Sequence, residues 1–114
     1  QLETLSEFLT SKLLVFTTET IHKDSSVHVR MFAPSVGVLE DPATGSAAGP
    51  TGAYLEHWNV LENHTHSSEI KIEQGYEIKR PSQLIVKNLY TKDTISNVLV
   101  SGKVKKTAEG DFFV

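Results

Sequence analysis

An α+β fold with a mixed or largely antiparallel sheet follows from three features of the sequence. About six or seven short stretches carry β-prone alternation or compact apolar runs, bounded by Gly, Pro and polar punctuation. One run, about residues 45–58, has instead the composition and spacing of a helix. A single central helix rules out the repeated βαβ alternation of a doubly wound parallel sheet.

The elements follow in order. Leu2, Leu5, Phe8 and Leu9 share a helical spacing and predict a short amphipathic helix at the start of the chain. Leu13 to Thr18 is a short β-prone run. Val27 to Ala33 alternates, with Val27, Val29 and Met31 on one face, and Pro34 with Gly37 marks a turn. After the helix, Asn59 is a stop signal and Glu62 to Ser68 a polar loop. Ile70 to Ile72 resumes alternation, and Gln74-Gly75 closes it. Tyr76 to Lys79 leads to a break at Arg80-Pro81-Ser82, and Leu84 to Val86 reads as a more fully buried strand. Val98, Val100, Gly102 and Val104 share a parity, which predicts one long half-buried strand over 95–106. Ala108 to Asp111 makes a turn, and Phe112 to Val114 a last strand.

The helical run is unusual in its side chains. Gly45 to Gly52 carries almost nothing larger than Thr, and Tyr54, Leu55 and Trp58 then suggest one apolar side. Gly49 and Gly52 each cost roughly 1 kcal/mol of helix stability against Ala. Burial offsets that cost, because a thin cylinder lets strands approach its backbone from several directions. The expectation is therefore a barrel wrapped around a central helix. Pro50 admits two readings, since a proline inside a helix costs about 3 kcal/mol. Either the regular helix begins near Gly49, or Ser46 keeps an unpaired carbonyl and the helix bends.

Polar residues precede this helix in Glu40-Asp41-Pro42-Ala43-Thr44-Gly45-Ser46. The first turn of a helix exposes unpaired N–H groups and the positive end of its dipole. Thr44, Gly45, Ser46 and Ala47 would let a ligand's carboxylate reach those donors, with Thr44 or Ser46 either capping the helix or bonding the anion. Asp41, held extended by Pro42, can face the same point as a proton-transfer group. The plainer alternative is that Asp41 caps the helix and Pro42 makes a turn.

Composition limits the partners. The 114 residues leave room for one domain, and 39% hydrophobic with 22% charged residues and no long apolar run describe a soluble chain without a membrane span. A formal charge of −3 offers no broad cationic surface, so nucleic acid is not an expected partner. Lys103, Lys105 and Lys106 read as the solvent face or edge of a strand. Zero cysteines exclude disulfides, thiol nucleophiles and thiolate metal sites, and fit a reducing, cytoplasmic setting. His57, His64 and His66 fall short of a metal site, which needs three or four converging ligands. Asn63-His64-Thr65 matches a glycosylation acceptor, a pattern common by chance. Arg80 is open to holding an anion or pairing with a carboxylate, and Tyr54 and Trp58 read as core or interface anchors.

Arg30-Met31-Phe32-Ala33-Pro34, Gly37 and Glu40-Asp41-Pro42-Ala43-Thr44-Gly45-Ser46-Ala47 together resemble the second-half motif of the phenazine-biosynthesis PhzF-like proteins. Gln74-Gly75 with Arg80-Pro81-Ser82, and the closing strands from Val98 to Val114, resemble the next blocks of that family in the same order. The resemblance implies the diaminopimelate epimerase-like fold, two similar lobes that each wrap a barrel around a helix, with the active site between them. It implies that residues 1–114 correspond to the C-terminal lobe alone.

The implied activity is a cofactor-independent isomerisation that moves a proton along a small cyclic carboxylic acid. Asp41 and Ser46 match the family's catalytic acid and its substrate-contacting serine. Thr44, Gly45, Ser46 and Ala47 would contact the substrate carboxylate. The family's principal glutamate and a supporting histidine belong to an N-terminal lobe, which is thus an expected partner; neither Glu40, Glu56 nor any of the histidines replaces them. The cysteine pair of related epimerases is lacking. The alternative is a non-catalytic module that binds a small carboxylate or self-associates as a homodimer.

Overall fold

The protein is described by a computed structural model over residues 12–62 and 69–113. The expected N-terminal helix, the acceptor tripeptide at 63–65, the His64 and His66 pair and Val114 lie outside the described residues.

Among the described residues, six strands form one curled sheet, a half-barrel holding one α-helix. They are β1 (Leu13–Thr17), β2 (Val27–Ala33), β3 (Val38–Asp41), β4 (Glu69–Gln74), β5 (Ser82–Thr91) and β6 (Thr94–Gly102). The helix, α1, spans Gly45–His57. Strand order is β1-β2-β4-β5-β6, with β3 pairing β2 off that path. All pairings are antiparallel except β2 with β4, where Val27 faces Ile72 and Val29 faces Gln74. That parallel pair forces a crossover, and β3 and α1 supply it.

Alternation explains the core. Val27 and Val29 of β2, Ile70 and Ile72 of β4, and Leu84 and Val86 of β5 point to one face, where Ala48 and Leu55 of α1 meet them. Fully burying an aliphatic side chain stabilises by about 1.5–3 kcal/mol, and most of these residues are almost completely enclosed. The small-residue helix is thereby accounted for. A Cβ on Gly52 would lie 2.4 Å from Val86 Cγ1, and one on Gly49 would lie 3.3 Å from Val100 Cγ2.

Of the two readings of Pro50, the helix runs regularly from Gly45 with Pro50 inside it, so the Ser46 carbonyl has no N–H four residues on to receive. The other end stops at Asn59, which takes φ +49°. The Asn59 amide donates to the Glu56 carbonyl at 3.1 Å and the Val60 amide to the Leu55 carbonyl at 2.9 Å. This is a Schellman closure with asparagine in the left-handed position, and Val60 packs against the core as it requires.

Several expectations need correction. Tyr54 and Trp58 are 51% and 64% exposed while Leu55 is buried, so the three do not share one covered side, and neither aromatic is a core anchor. They line up instead with Phe16, whose ring centroid lies 6.2 Å from that of Tyr54, while Tyr54 lies 6.4 Å from Trp58. The expected strand over 95–106 stops at Gly102, and β6 is largely exposed rather than half-buried because, among the described residues, it is an edge strand paired with β5 on one side. Residues 103–113 carry no regular structure, so the lysine cluster lies outside the sheet. Phe112 and Phe113 are almost fully exposed and form no strand. β5 extends to Thr91 and turns into β6 through Lys92 and Asp93, both with positive φ, and Val38–Asp41 forms a strand of its own.

Candidate functional site

Asp41 is the last residue of β3, opposite Met31 of β2, and the chain turns from it into α1 within three residues. Thr44 follows at the N-cap position but makes no side-chain capping bond. Its hydroxyl turns the other way and donates to Asp41 Oδ2 at 2.6 Å. Asp41 therefore does not cap the helix through its own side chain. It stands at the helix entrance, half-buried, with one oxygen tied to Thr44.

The first-turn amides divide into two groups. Those of Ala47 and Ala48 fold back onto the Thr44 carbonyl at 3.2 and 3.0 Å, and the Thr44 amide meets Gln74 Oε1 at 3.3 Å. Among the described residues, the amides of Gly45 and Ser46 are the donors left at this helix start. Both residues are exposed, and nothing lies within 4 Å of where a Gly45 Cβ would stand. Of the four residues expected to meet a ligand, Gly45 and Ser46 thus face open space. Thr44 is buried and engaged with protein groups, and Ala47 is half-buried.

Residues that sequence reasoning did not assign to the site hold it in place. Gln74 ends β4 with 1% exposure, and its Nε2 donates to the Asp41 carbonyl at 2.6 Å and to Thr44 Oγ1 at 3.0 Å. The hydroxyl of Ser82 donates to the Pro42 carbonyl at 2.5 Å. Between them, Gly75 takes φ +83°, and a Cβ there would lie 2.4 Å from the Arg80 carbonyl oxygen and 2.9 Å from that of Pro42. Only glycine fits so close an approach at that φ. The Gln74-Gly75 and Arg80-Pro81-Ser82 segments were thus visible in the sequence, and their physical role is to clamp the turn that carries Asp41. Arg80 joins through its backbone, its amide donating to the Gly75 carbonyl at 2.9 Å.

Beside the turn runs a chain of charges. Arg30 reaches Glu40 with two bonds, Nε to Oε1 at 3.0 Å and Nη2 to Oε2 at 2.8 Å. His28 lies between Glu73 (Nδ1 to Oε1) and Glu77 (Nε2 to Oε1), each at 2.8 Å. Contact with a carboxylate at both ring nitrogens requires both to carry hydrogen, so the imidazole is held as the cation. Burial alone would lower its pKa, but the hydrogen bonds and charges of the two glutamates outweigh it and raise the pKa above the ordinary histidine range. Burial likewise opposes ionisation of Glu73, and is outweighed by the amides of Ile21 and His22 and by His28. Glu77 is lowered in the same manner, against burial, by its own amide, His28 and Arg30.

At the far end of α1, Glu56 is buried and receives a hydrogen bond from Asn88, which also donates to the Gly52 carbonyl at 3.1 Å. The Tyr90 hydroxyl is pushed up to about 12 by burial and by its bond to Glu56. An open cavity of about 460 Å³ adjoins these groups and His57 and Asp93. It is at the opposite end of the helix from Asp41. Among the described residues no cluster of three or more His, Asp or Glu side chains is arranged to hold a metal ion, and no helix is long and apolar enough to cross a membrane.

A curled mixed sheet holding one slim helix is also the fold of a solved phenazine-biosynthesis protein. The crystal structure of a PhzF-family protein from Bacillus anthracis superposes with a TM-score of 0.63 at 30% identity, over 84% of this chain and 32% of that one. The chain belongs to the PhzC-PhzF family of phenazine biosynthesis-like proteins, whose family model matches residues 2–110. Its relatives bear isomerase names. An uncharacterised isomerase of Mesorhizobium japonicum is 32% identical over 96% of this chain and 35% of its own length. The trans-2,3-dihydro-3-hydroxyanthranilate isomerase of Pseudomonas aeruginosa is 42% identical over 71% of this chain and 28% of its own. An uncharacterised Bacillus subtilis isomerase, YfhB, is 44% identical over 60% of this chain and 22% of its own. The chain thus spans roughly a third or less of the length of these relatives.

Proposed function

We propose that this chain is the C-terminal lobe of a PhzF-like isomerase, and that it contributes an acid–base group and a carboxylate seat to an active site completed by an N-terminal lobe. The observation that carries the reading is the pairing of Asp41, half-buried at the end of β3, with the exposed amides of Gly45 and Ser46 at the start of α1. A small cyclic carboxylic acid would place its carboxylate on those amides, where the helix dipole favours negative charge. The Ser46 hydroxyl would add a further hydrogen bond to the substrate. The N-terminal lobe's base would remove a proton from a ring carbon, the electron pair would shift along the conjugated system, and a proton would be returned at another carbon. Asp41 would take part in that transfer. Atoms and electrons balance with no metal or organic cofactor drawn upon.

A positioned acid or base contributes about 10²–10⁴-fold in rate. D41N and S46A, each introduced into the two-lobe protein, are expected to lower turnover of a dihydro-hydroxyanthranilate within that range while circular dichroism shows the fold retained. Unchanged turnover in both variants would remove the assignment. A second reading, a non-catalytic module that binds small carboxylates or self-associates as a homodimer, draws support from the exposed Phe16, Tyr54 and Trp58 surface. It stands if hydrodynamic measurement shows that the chain ignores an added N-terminal lobe and the mixture shows no turnover.

A further inference from the structure

We propose that Gln74 is a positioning residue that decides, through the Thr44 hydroxyl, which oxygen of Asp41 exchanges protons with the substrate. The inference rests on the acid–base role proposed for Asp41 and adds what sets its orientation.

The Asp41 carbonyl can only accept and the Thr44 amide can only donate, and Gln74 touches both, at 2.6 and 3.3 Å. That fixes the amide orientation by chemistry, with Nε2 toward Asp41 and Oε1 toward Thr44. The second Nε2 hydrogen then meets Thr44 Oγ1 at 3.0 Å. Thr44 Oγ1 is thereby an acceptor from Gln74, and its own hydrogen goes to Asp41 Oδ2 at 2.6 Å. The order of donation runs Gln74 to Thr44 to Asp41, and it cannot reverse, because Gln74 Nε2 has no acceptor capacity.

Oδ2 of Asp41 is therefore held as an acceptor in both protonation states, and proton traffic falls on Oδ1. An acid that gives and takes a proton at one fixed atom keeps its geometry through the reaction, which is where a small misplacement costs most. Gln74 suits this task because it is enclosed, at 1% exposure, and anchored by the Gly75 turn behind it. Its neighbour Glu73, equally buried, serves His28 and the Ile21–His22 amides, so the two adjacent side chains are committed to different structures.

The test has two arms. In this chain, NMR should find both Gln74 side-chain amide hydrogens slow to exchange; T44V should release one and leave the hydrogen on the Asp41 carbonyl protected. In the two-lobe protein, T44V should lower kcat by about 10–100-fold with KM little changed and alter the pH–rate profile, and T44S should restore both. Q74E, which lacks the donors, should match T44V where it folds. Rapid exchange of both hydrogens in the unaltered chain, or T44S as impaired as T44V, would overturn the proposal. An impaired D41N beside an unimpaired T44V overturns this inference alone; an unimpaired D41N removes the acid–base reading beneath it as well.

Discussion

Two side chains at the β3–α1 turn, Asp41 and Ser46, carry the proposed chemistry, and the groups around them carry its electrostatics. The most titratable is His28, whose cationic form bridges Glu73 and Glu77. Its folded pKa is raised, so its contribution to stability is complete below the unfolded value of about 6.5 and is lost as pH rises through the folded value. Glu73 and Glu77 are lowered, so theirs is complete above the ordinary carboxylate value and is lost as pH falls through the folded values. Stability should therefore be greatest between about pH 4.5 and 6.5. Urea unfolding across pH 3–9 should show a fall on each side, and H28Q should flatten the alkaline one; a variant that keeps that limb would contradict the assignment. At this scale the sequence was informative about identities and poor about partners. Asp41 and Ser46 stand in a recognisable string, whereas nothing in the sequence says that Gln74, thirty residues on, meets Thr44, because that contact exists only once β4 lies beside β2.

Among the elements, α1 is the one whose physics the sequence carries most fully. Its small residues stand where β5 and β6 come closest. At Gly52 an added Cβ would overlap Val86 Cγ1 and Cβ at 2.4 and 2.9 Å and β5 would have to move, an overpacking cost of about 1–3 kcal/mol. Set against roughly 1 kcal/mol of helix propensity gained, G52A should destabilise by up to about 2 kcal/mol. G49A meets only valine methyls at 3.3 and 3.5 Å and should be neutral or stabilising. Thermal unfolding of the two variants checks the contrast, and equal behaviour would deny the close approach. The outward side of α1 was not legible, because Tyr54 and Trp58 have helical spacing with Leu55 whichever way the sheet curls. β3 escapes notice for a related reason: four residues with only two apolar side chains make too short a pattern to register as a strand. β6 has strand alternation, but burial depends on what lies over it, and an edge position leaves it exposed.

At the scale of the whole molecule, the half-barrel presents the Asp41 turn at one end of α1 and the Glu56, Asn88 and Tyr90 cluster at the other. The polarity of the helix distinguishes the ends: open N–H donors and the positive dipole end lie with Asp41, and a buried carboxylate with the carbonyl end. An anionic substrate should therefore select the first end, and the neutral amides of Gly45 and Ser46 should report its arrival. The most direct measurement is an ¹⁵N NMR titration of the chain with a small aromatic carboxylate such as 3-hydroxyanthranilate. Saturable downfield shifts centred on the Gly45 and Ser46 amides are expected, diminished when the ring carries a carboxamide in place of the carboxylate. Amides at that turn that stay unmoved while those around Glu56 and Tyr90 respond, or no saturable response anywhere, would contradict this reading.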